Sequence, residues 1–330
     1  MGDVAKVAGV SHQTVSRVLN NHPNVSDATK ARVEEAIALL GYRRNTAARS
    51  LVTRRSRTIG VLACETAQYG PANVLLGVEQ AAREAGYFVS IANLREVTRG
   101  SINDAIAHFR NQSVDGIVIL VPHPHILAVL ENVSVPMPMV AVGSGAGSHL
   151  TGASLNQRLG ARLAVEHLVE LGHRHIAHVS GPPHWIDAAE RIKGWQDALA
   201  GAGLKADVLL AGDWGAASGY QAGLALVEQR HVTAAFVAND QMAMGVLRAL
   251  HEAGLNVPAD ISIVGHDDQP ESGFVLPPLT TIKQDFEELG RHGMSAILGL
   301  LEGKDRAGED IAGPRLVIRS TTSRPGGARR

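Results

Sequence analysis

Residues 3–20 read Asp-Val-Ala-Lys-Val-Ala-Gly-Val-Ser-His-Gln-Thr-Val-Ser-Arg-Val-Leu-Asn. The spacing predicts two short helices around a tight turn. Val4, Ala5 and Ala8 share one apolar face, and Gly9 suits the left-handed conformation that ends a helix. Ser11 is a good N-cap for a second helix, on which Val15, Val18 and Leu19 point inward at i, i+3 and i+4. The outward face carries His12, Gln13, Ser16 and Arg17, with Ser11, Thr14 and Asn20 beside them. This is a helix-turn-helix, whose second helix offers its N-terminal residues to base edges in a DNA major groove. Gln pairs bidentately with adenine and Arg with guanine, while Ser and Thr reach phosphates or bases. The alternative, a solvated helix hairpin in a larger core, leaves the agreement of turn, cap and polar face unexplained.

Charge is distributed to match. The 330-residue chain has a net charge of −1, yet residues 1–57 hold ten Lys/Arg against four Asp/Glu, leaving +6 on the head and −7 on the remainder. A basic head on an acidic body is the asymmetry expected when one domain binds nucleic acid and its neighbour does not. The single cysteine, Cys64, excludes an internal disulfide and fits a reducing cytoplasm. No apolar run approaches the ~18 residues of a membrane span, and the start lacks the pattern of a secretory signal.

Beyond the second helix, Ser26 caps a third, with Val33, Ile37 and Leu40 inward and Gly41 as its stop. Residues 1–44 form the headpiece and 45–57 a linker of helical potential, too short to be stable alone and surrounded by arginines. Asn45, Arg49 and Leu51 in it are candidate DNA contacts; a disordered basic linker is the plain alternative.

The run Asp3-Val-Ala, Ala8-Gly-Val-Ser and Thr14-Val-Ser-Arg-Val-Leu-Asn20 resembles the headpiece of the LacI/GalR family of bacterial transcription regulators, and the likeness continues through nearly the whole chain. The resemblance implies a hinge helix at 45–53 that folds on DNA and inserts Leu51 into the minor groove, an apolar wedge that bends the duplex. It also implies residues before Asp3 that include a Ser/Thr cap. Only Met1 and Gly2 stand there, so the first helix is expected to begin without one.

From Thr58 the pattern becomes strands alternating with helices, and it restarts after residue 160. Repeated βα units argue for parallel sheets covered by helices, and two α/β lobes with a cleft between them is the economical architecture for residues 58–324. The resemblance implies the periplasmic-binding-protein type of fold, with three crossings between lobes. Residues 325–330 read as a tail. Ligands of such sheets bind at strand C-terminal ends.

The second lobe places polar groups there: Arg191, Asn239, Asp267 and Gln284, with Trp214. Carboxylate, amide and guanidinium groups beside an indole suit a sugar, the polar groups binding hydroxyls and the ring stacking on C–H faces. Taken singly, Asp240 reads as a helix N-cap, and Trp195 and Trp214 as core. The segments Gly212-Asp-Trp, Val237-Ala-Asn-Asp-Gln-Met, Gly265-His-Asp-Asp and Pro277-Pro-Leu-Thr-Thr-Ile-Lys-Gln-Asp-Phe286 look like those of lac-type family members. That implies sugar hydroxyls held by Arg191, Asn239 and Asp267, stacking on Trp214, and Gln284 nearby. In the first lobe Pro71 and Val74 match apolar lining positions. Gln68 replaces an expected leucine, Leu120 an amide and Gly143 an aspartate. Cys64 and Asp187 complete the candidate effector set; Trp185 and Asp187 have no close counterpart.

No metal is expected. His173, His175, His178 and His184 cluster in one dimension, but alternation on a strand sends His175 and His178 to opposite faces. No cofactor is expected either: Gly143-Ser-Gly-Ala-Gly-Ser148 is an incomplete glycine fingerprint with no helix directly after it. Four functional readings result. The first is a dimeric repressor, without leucine heptads at its C-terminus, released from a pseudo-palindromic operator by a β-galactoside-type inducer. The others are a purine-type corepressor protein, which would want aromatics in both lobes, a sugar receptor for transport, and a glycosidase using Asp267 and Asp268. Adjacent carboxylates on one strand point apart, so the last is disfavoured, and the chain is read as a non-enzyme.

Overall fold

The chain divides into two units, Met1–Ser56 and Arg57–Arg330. The computed structural model describes residues 1–19, 22–42, 55–120, 123–130, 137–143, 152–304 and 313–326.

The first unit contains α1 (Gly2–Ala8), α2 (His12–Leu19) and α3 (Asp27–Leu39). Gly9 takes φ 63, and its N–H returns to the carbonyls of Ala5 and Lys6, which ends α1. Ser11 Oγ accepts from Thr14 N at 3.1 Å, capping α2, and Ser26 Oγ accepts from Thr29 N at 3.4 Å, capping α3. α1 has no side-chain cap at Met1; the Met1 side chain instead packs on the small core of Val4, Ala8, Val15, Val18, Val33 and Ala36. Leu40 differs from expectation. It is 43% exposed, because α3 ends one residue earlier and the chain turns at Gly41 (φ 56). Val33 and Ile37 face inward as the spacing predicts, and Ala36 and Tyr42 join them in place of Leu40. Asn20, Asn45, Arg49 and Leu51, and with them the proposed hinge helix, lie outside the described residues.

The second unit begins with β1 (Thr58–Cys64), α4 (Tyr69–Glu84), β2 (Phe88–Leu94), α5 (Arg99–Asn111), β3 (Gly116–Leu120), α6 (Pro124–Leu130), β4 (Met139–Val142) and β5 (Gly152–Ala153). These strands form one sheet, β2-β1-β3-β4-β5, parallel throughout. β1 and β3 are buried almost end to end, as strands covered on both faces must be. α5 starts two residues before the expected Ser101, because Thr98 and Ser101 form a reciprocal capping box.

The second lobe follows: α7 (Gln157–Glu170), β6 (Ile176–Ser180), α8 (Ile186–Gly201), β7 (Leu209–Ala211), α9 (Ala216–Glu228), β8 (Ala234–Val237), α10 (Asp240–Glu252), β9 (Ser262–Asp267) and β10 (Thr280–Lys283). α11 (Phe286–Leu301) returns to pack on the first sheet, and β11 (Arg315–Val317) rejoins the second, antiparallel to β10. The second sheet runs β11-β10-β9-β8-β6-β7, and the chain passes between lobes three times. Sequence periodicity does not reveal β7 and α9. β7 is a three-residue edge strand, and α9 is built on small residues. Gly219 of α9 and Gly245 of α10 let the two backbones meet, since a Cβ on either would collide with main-chain atoms of the other helix. Beyond Ser323 the chain stays close to the second lobe, with Pro325 beside Gly172 and Gly326 beside Ala259.

Candidate functional site

A cavity, open at its mouth, lies between the ends of the two sheets. Its first-lobe wall comes from strand ends and α4: Cys64, Gln68, Pro71 and Val74, all named from the sequence, together with Leu120, Val142 and Gly143. Burial, aided by Glu65, pushes the Cys64 thiol up to about 12, so it is a neutral, apolar wall group. Tyr69 and Phe286 line the same side, edge to face with centroids 5.9 Å apart. Sequence reasoning missed both. Phe286 opens a helix that comes back from the other lobe, and no local signal announces that return.

The second-lobe wall is polar and aromatic. Asp187, Arg191, Trp214, Asn239 and Asp267 all line it. Arg191 is its hub, 3% exposed. Its Nε donates to Gln157 Oε1 at 2.9 Å, one terminal nitrogen donates to the Ala238 carbonyl, and the other reaches Asp267 Oδ1 at 3.4 Å. Gln157 in turn donates to Asp187 Oδ2 at 3.1 Å. Asp187, Gln157, Arg191 and Asp267 thus form one hydrogen-bonded chain along the wall. Gln157 was not foreseen; its cue is a polar residue in the first turn of a helix that starts right after a lobe crossing.

Burial pushes Asp267 up to about 6, with the Arg191 charge and hydrogen bond pulling the other way. His266 is held well below its usual range by burial, with Arg191 adding to the effect, so its imidazole is neutral and its Nδ1 donates to Asp267 Oδ1 at 3.0 Å. Asp268 points elsewhere, to Arg319 at 2.6 Å and Lys283 at 3.9 Å. The two adjacent carboxylates therefore serve different partners and do not flank a common space.

Asn239, not Asp240, caps α10. Its Oδ1 accepts from Met242 N at 2.9 Å while its Nδ2 donates to the Trp214 carbonyl at 3.0 Å. Asp240 is the first helical residue and is fully buried, accepting from Ser272, Thr281 and Gln269 N. Burial and the neighbouring Asp267 raise it to about 7, against those hydrogen bonds. Gln284 lies outside the cavity lining: it is buried just after β10, and neither side-chain heteroatom has a partner among the described residues. Trp195 is core, its Nε1 donating to Ile176 O at 3.1 Å. Trp185 does line the cavity, edge to face with Trp214 at 5.3 Å. Neither indole N–H has a partner among the described residues, which leaves two buried donors in the cavity wall.

On the head unit, Ser11, His12, Gln13 and Arg17 are exposed, and Thr14 and Ser16 partly so. The Ser11 and Thr14 hydroxyls bond each other at 2.9 Å, so both are partly committed to the cap.

A helix-turn-helix unit followed by a two-lobe, ligand-cleft core defines a transcriptional regulator with a periplasmic-binding-protein-like domain. Residues 1–45 match the bacterial regulatory proteins of the lacI family, and residues 165–322 a periplasmic binding protein-like domain. The chain belongs to the lacI family. It is 37% identical to the lactose operon repressor of Escherichia coli (strain K12) over 98% of this chain and 90% of that protein. It is 34% identical to the HTH-type transcriptional repressor PurR of Aliivibrio fischeri (strain ATCC 700601 / ES114), over 97% of each. A crystal structure of the lac repressor dimer bound to operator and the anti-inducer ONPF superposes with a TM-score of 0.89 at 36% identity, covering 97% of this chain and 98% of that one. These relatives are regulators, not enzymes. No helix among the described residues is long and apolar enough to cross a membrane.

Proposed function

We propose that this protein is a cytoplasmic, dimeric repressor released from a pseudo-palindromic operator by a glycoside, of β-galactoside type, in the interlobe cavity. The observation that carries the effector class is the Asp187–Gln157–Arg191–Asp267 chain beside two indoles whose N–H groups have no partner among the described residues. Vicinal hydroxyls match alternating donors and acceptors, and the apolar C–H face of a pyranose matches an indole or the first-lobe wall. Two α2 helices would occupy successive major grooves, with His12, Gln13 and Arg17 reading bases and the Leu51 pair wedging the centre.

Release requires that the sugar bind one lobe arrangement better than the other, and the coupling is reciprocal. A hundredfold preference would supply about 2.7 kcal/mol per site. A second reading has its own support. A purine wants aromatic groups on both lobes, and Tyr69 and Phe286 line the cavity together with Trp185 and Trp214. A purine-type corepressor that tightens operator binding is therefore the competitor.

The deciding experiment follows tryptophan emission while β-galactosides, other glycosides and guanine are added in turn. Anisotropy of a palindromic DNA selected by the protein is read in parallel. A saturable galactoside response with DNA release supports the proposal. Tighter DNA binding with guanine, and no sugar response, replaces it with the corepressor reading.

A further inference from the structure

Outside the effector cavity, three metal-ligating side chains from different parts of the chain converge. Glu65 follows β1, His123 precedes α6 in the same lobe, and His184 precedes α8 in the other. One ligand atom from each lies within 4.8 Å of the other two. Glu65 Oε1 and His123 Nε2 are 3.3 Å apart. Ligand atoms ~2.0–2.2 Å from a tetrahedral ion stand roughly 3.4 Å from one another, so this pair is already at the right separation. His184 is exposed, with the side-chain freedom to close the remaining gap.

His123 is prepared as a ligand. It is 6% exposed, its ring stacks on His184 at 5.0 Å, and Trp185 packs edge-on at 5.4 Å. Its Nδ1 lies 3.2 Å from the His184 carbonyl. Because a carbonyl only accepts, that contact requires the proton on Nδ1, and it directs Nε2 toward Glu65, the outer-shell arrangement of metal-bound imidazoles. A separate cavity adjoins the three groups, lined also by Leu94, Arg95 and Val97. It gives room for a fourth ligand, and Arg95 would favour an anionic one.

We propose that Glu65, His123 and His184 bind a divalent transition ion of the Zn2+ class. Two imidazoles and one carboxylate are the ligand set such an ion takes, with an open fourth position. Because the ligands come from both lobes, the bound ion pins one lobe separation, and it does so next to Trp185 of the effector cavity. Any ion that favours one arrangement shifts the population toward it.

The test titrates Zn2+ alone into the full chain by calorimetry, without sugar or DNA, so it stands or falls apart from the effector assignment. The expected result is one tight site per chain, weakened at least about tenfold by His184→Ala or Glu65→Gln with unchanged far-UV circular dichroism, and unchanged by His231→Ala. Affinity equal in the wild type and in both ligand variants overturns the proposal. If a variant loses its fold, Co2+ bound to the wild type decides: intense visible bands of a tetrahedral ion support the site, and the weak spectrum of an octahedral one overturns it.

Discussion

The guanidinium of Arg191 lies over the indole of Trp214, its central carbon 5.4 Å from the ring centroid. The planar cation is thereby fixed between an aromatic face and the carboxylate of Asp267, with Gln157 holding its Nε. Arg, rather than Lys, suits this place because its rigid fork serves several acceptors while stacking.

Arg191→Ala should therefore abolish effector binding and also destabilise the second lobe. It leaves Asp267 buried without its cation, and breaking a buried pair from one side costs about 3–5 kcal/mol. The loose 3.4 Å contact places the effect at the lower end of that range. Urea denaturation measures the stability. A variant as stable as the wild type would show that Asp267 relies on His266 alone.

Gly181→Ala should disable the cavity while sparing the head unit. A Cβ at position 181 would collide with the six-membered ring of Trp214, a rigid group that must then leave its place. Trp214 also holds φ 74, so its backbone is already confined. The expected outcome is a shifted tryptophan emission and a roughly 5- to 150-fold loss of effector affinity, from lost packing of ~1–3 kcal/mol. Operator affinity without effector should stay unchanged in anisotropy.

Arg17→Ala should leave effector binding intact and weaken operator binding by about 1–3 kcal/mol, with relaxed base preference at one operator position. Arg17 is exposed on α2, so the head should keep its fold. Selection of DNA by the variant, compared with the wild type, checks the relaxed position. A uniform loss at all sequences, with a smaller salt slope, would assign Arg17 to phosphate instead.

His178 predicts a pH dependence. Burial drives its imidazole down to about 3, with the Phe236 carbonyl opposing, and the ring stacks on Phe236 at 4.7 Å. The folded state keeps it neutral, whereas the unfolded chain protonates it below about 6.5. Its contribution to stability is full above pH 6.5 and is lost as pH falls toward 3. Between pH 7 and 5.5 the loss is on the order of 1 kcal/mol. Asp267 and Asp240, both raised, act with the opposite sign: the folded state takes up their protons first, so stability falls as pH rises through about 6 and 7. His178→Asn should lower stability at pH 7, and the gap in urea midpoint between wild type and variant should narrow as pH falls from 7 to 5.5, because only the wild type loses the His178 contribution. A gap that stays constant over this range would show that His178 is not a source of the pH dependence.

The head could be read residue by residue because its determinants are local. A left-handed Gly9, a Ser11 cap and apolar residues at 3.6 spacing all act within a few positions of one another. The same holds for the buried strands β1, β3 and β8, whose continuous apolar runs admit little else. Where the rule was local but the end of the element was not, the reading slipped: Leu40 sits in the right phase for the core, yet α3 stops before it.

Sequence alone determined the class of this protein: a basic helix-turn-helix, two rounds of alternating strands and helices, and a set of polar groups at strand ends. Each follows from periodicity, capping or charge, which act over short range. Only the tertiary structure decided which groups meet. Three crossings between lobes bring Phe286 to the wall opposite Trp214, put Gln157 between Asp187 and Arg191, and leave Gln284 outside the cavity. The same folding carries His184 to Glu65 and His123. Contacts between residues scores of positions apart depend on how two sheets are threaded, and no local pattern encodes that distance.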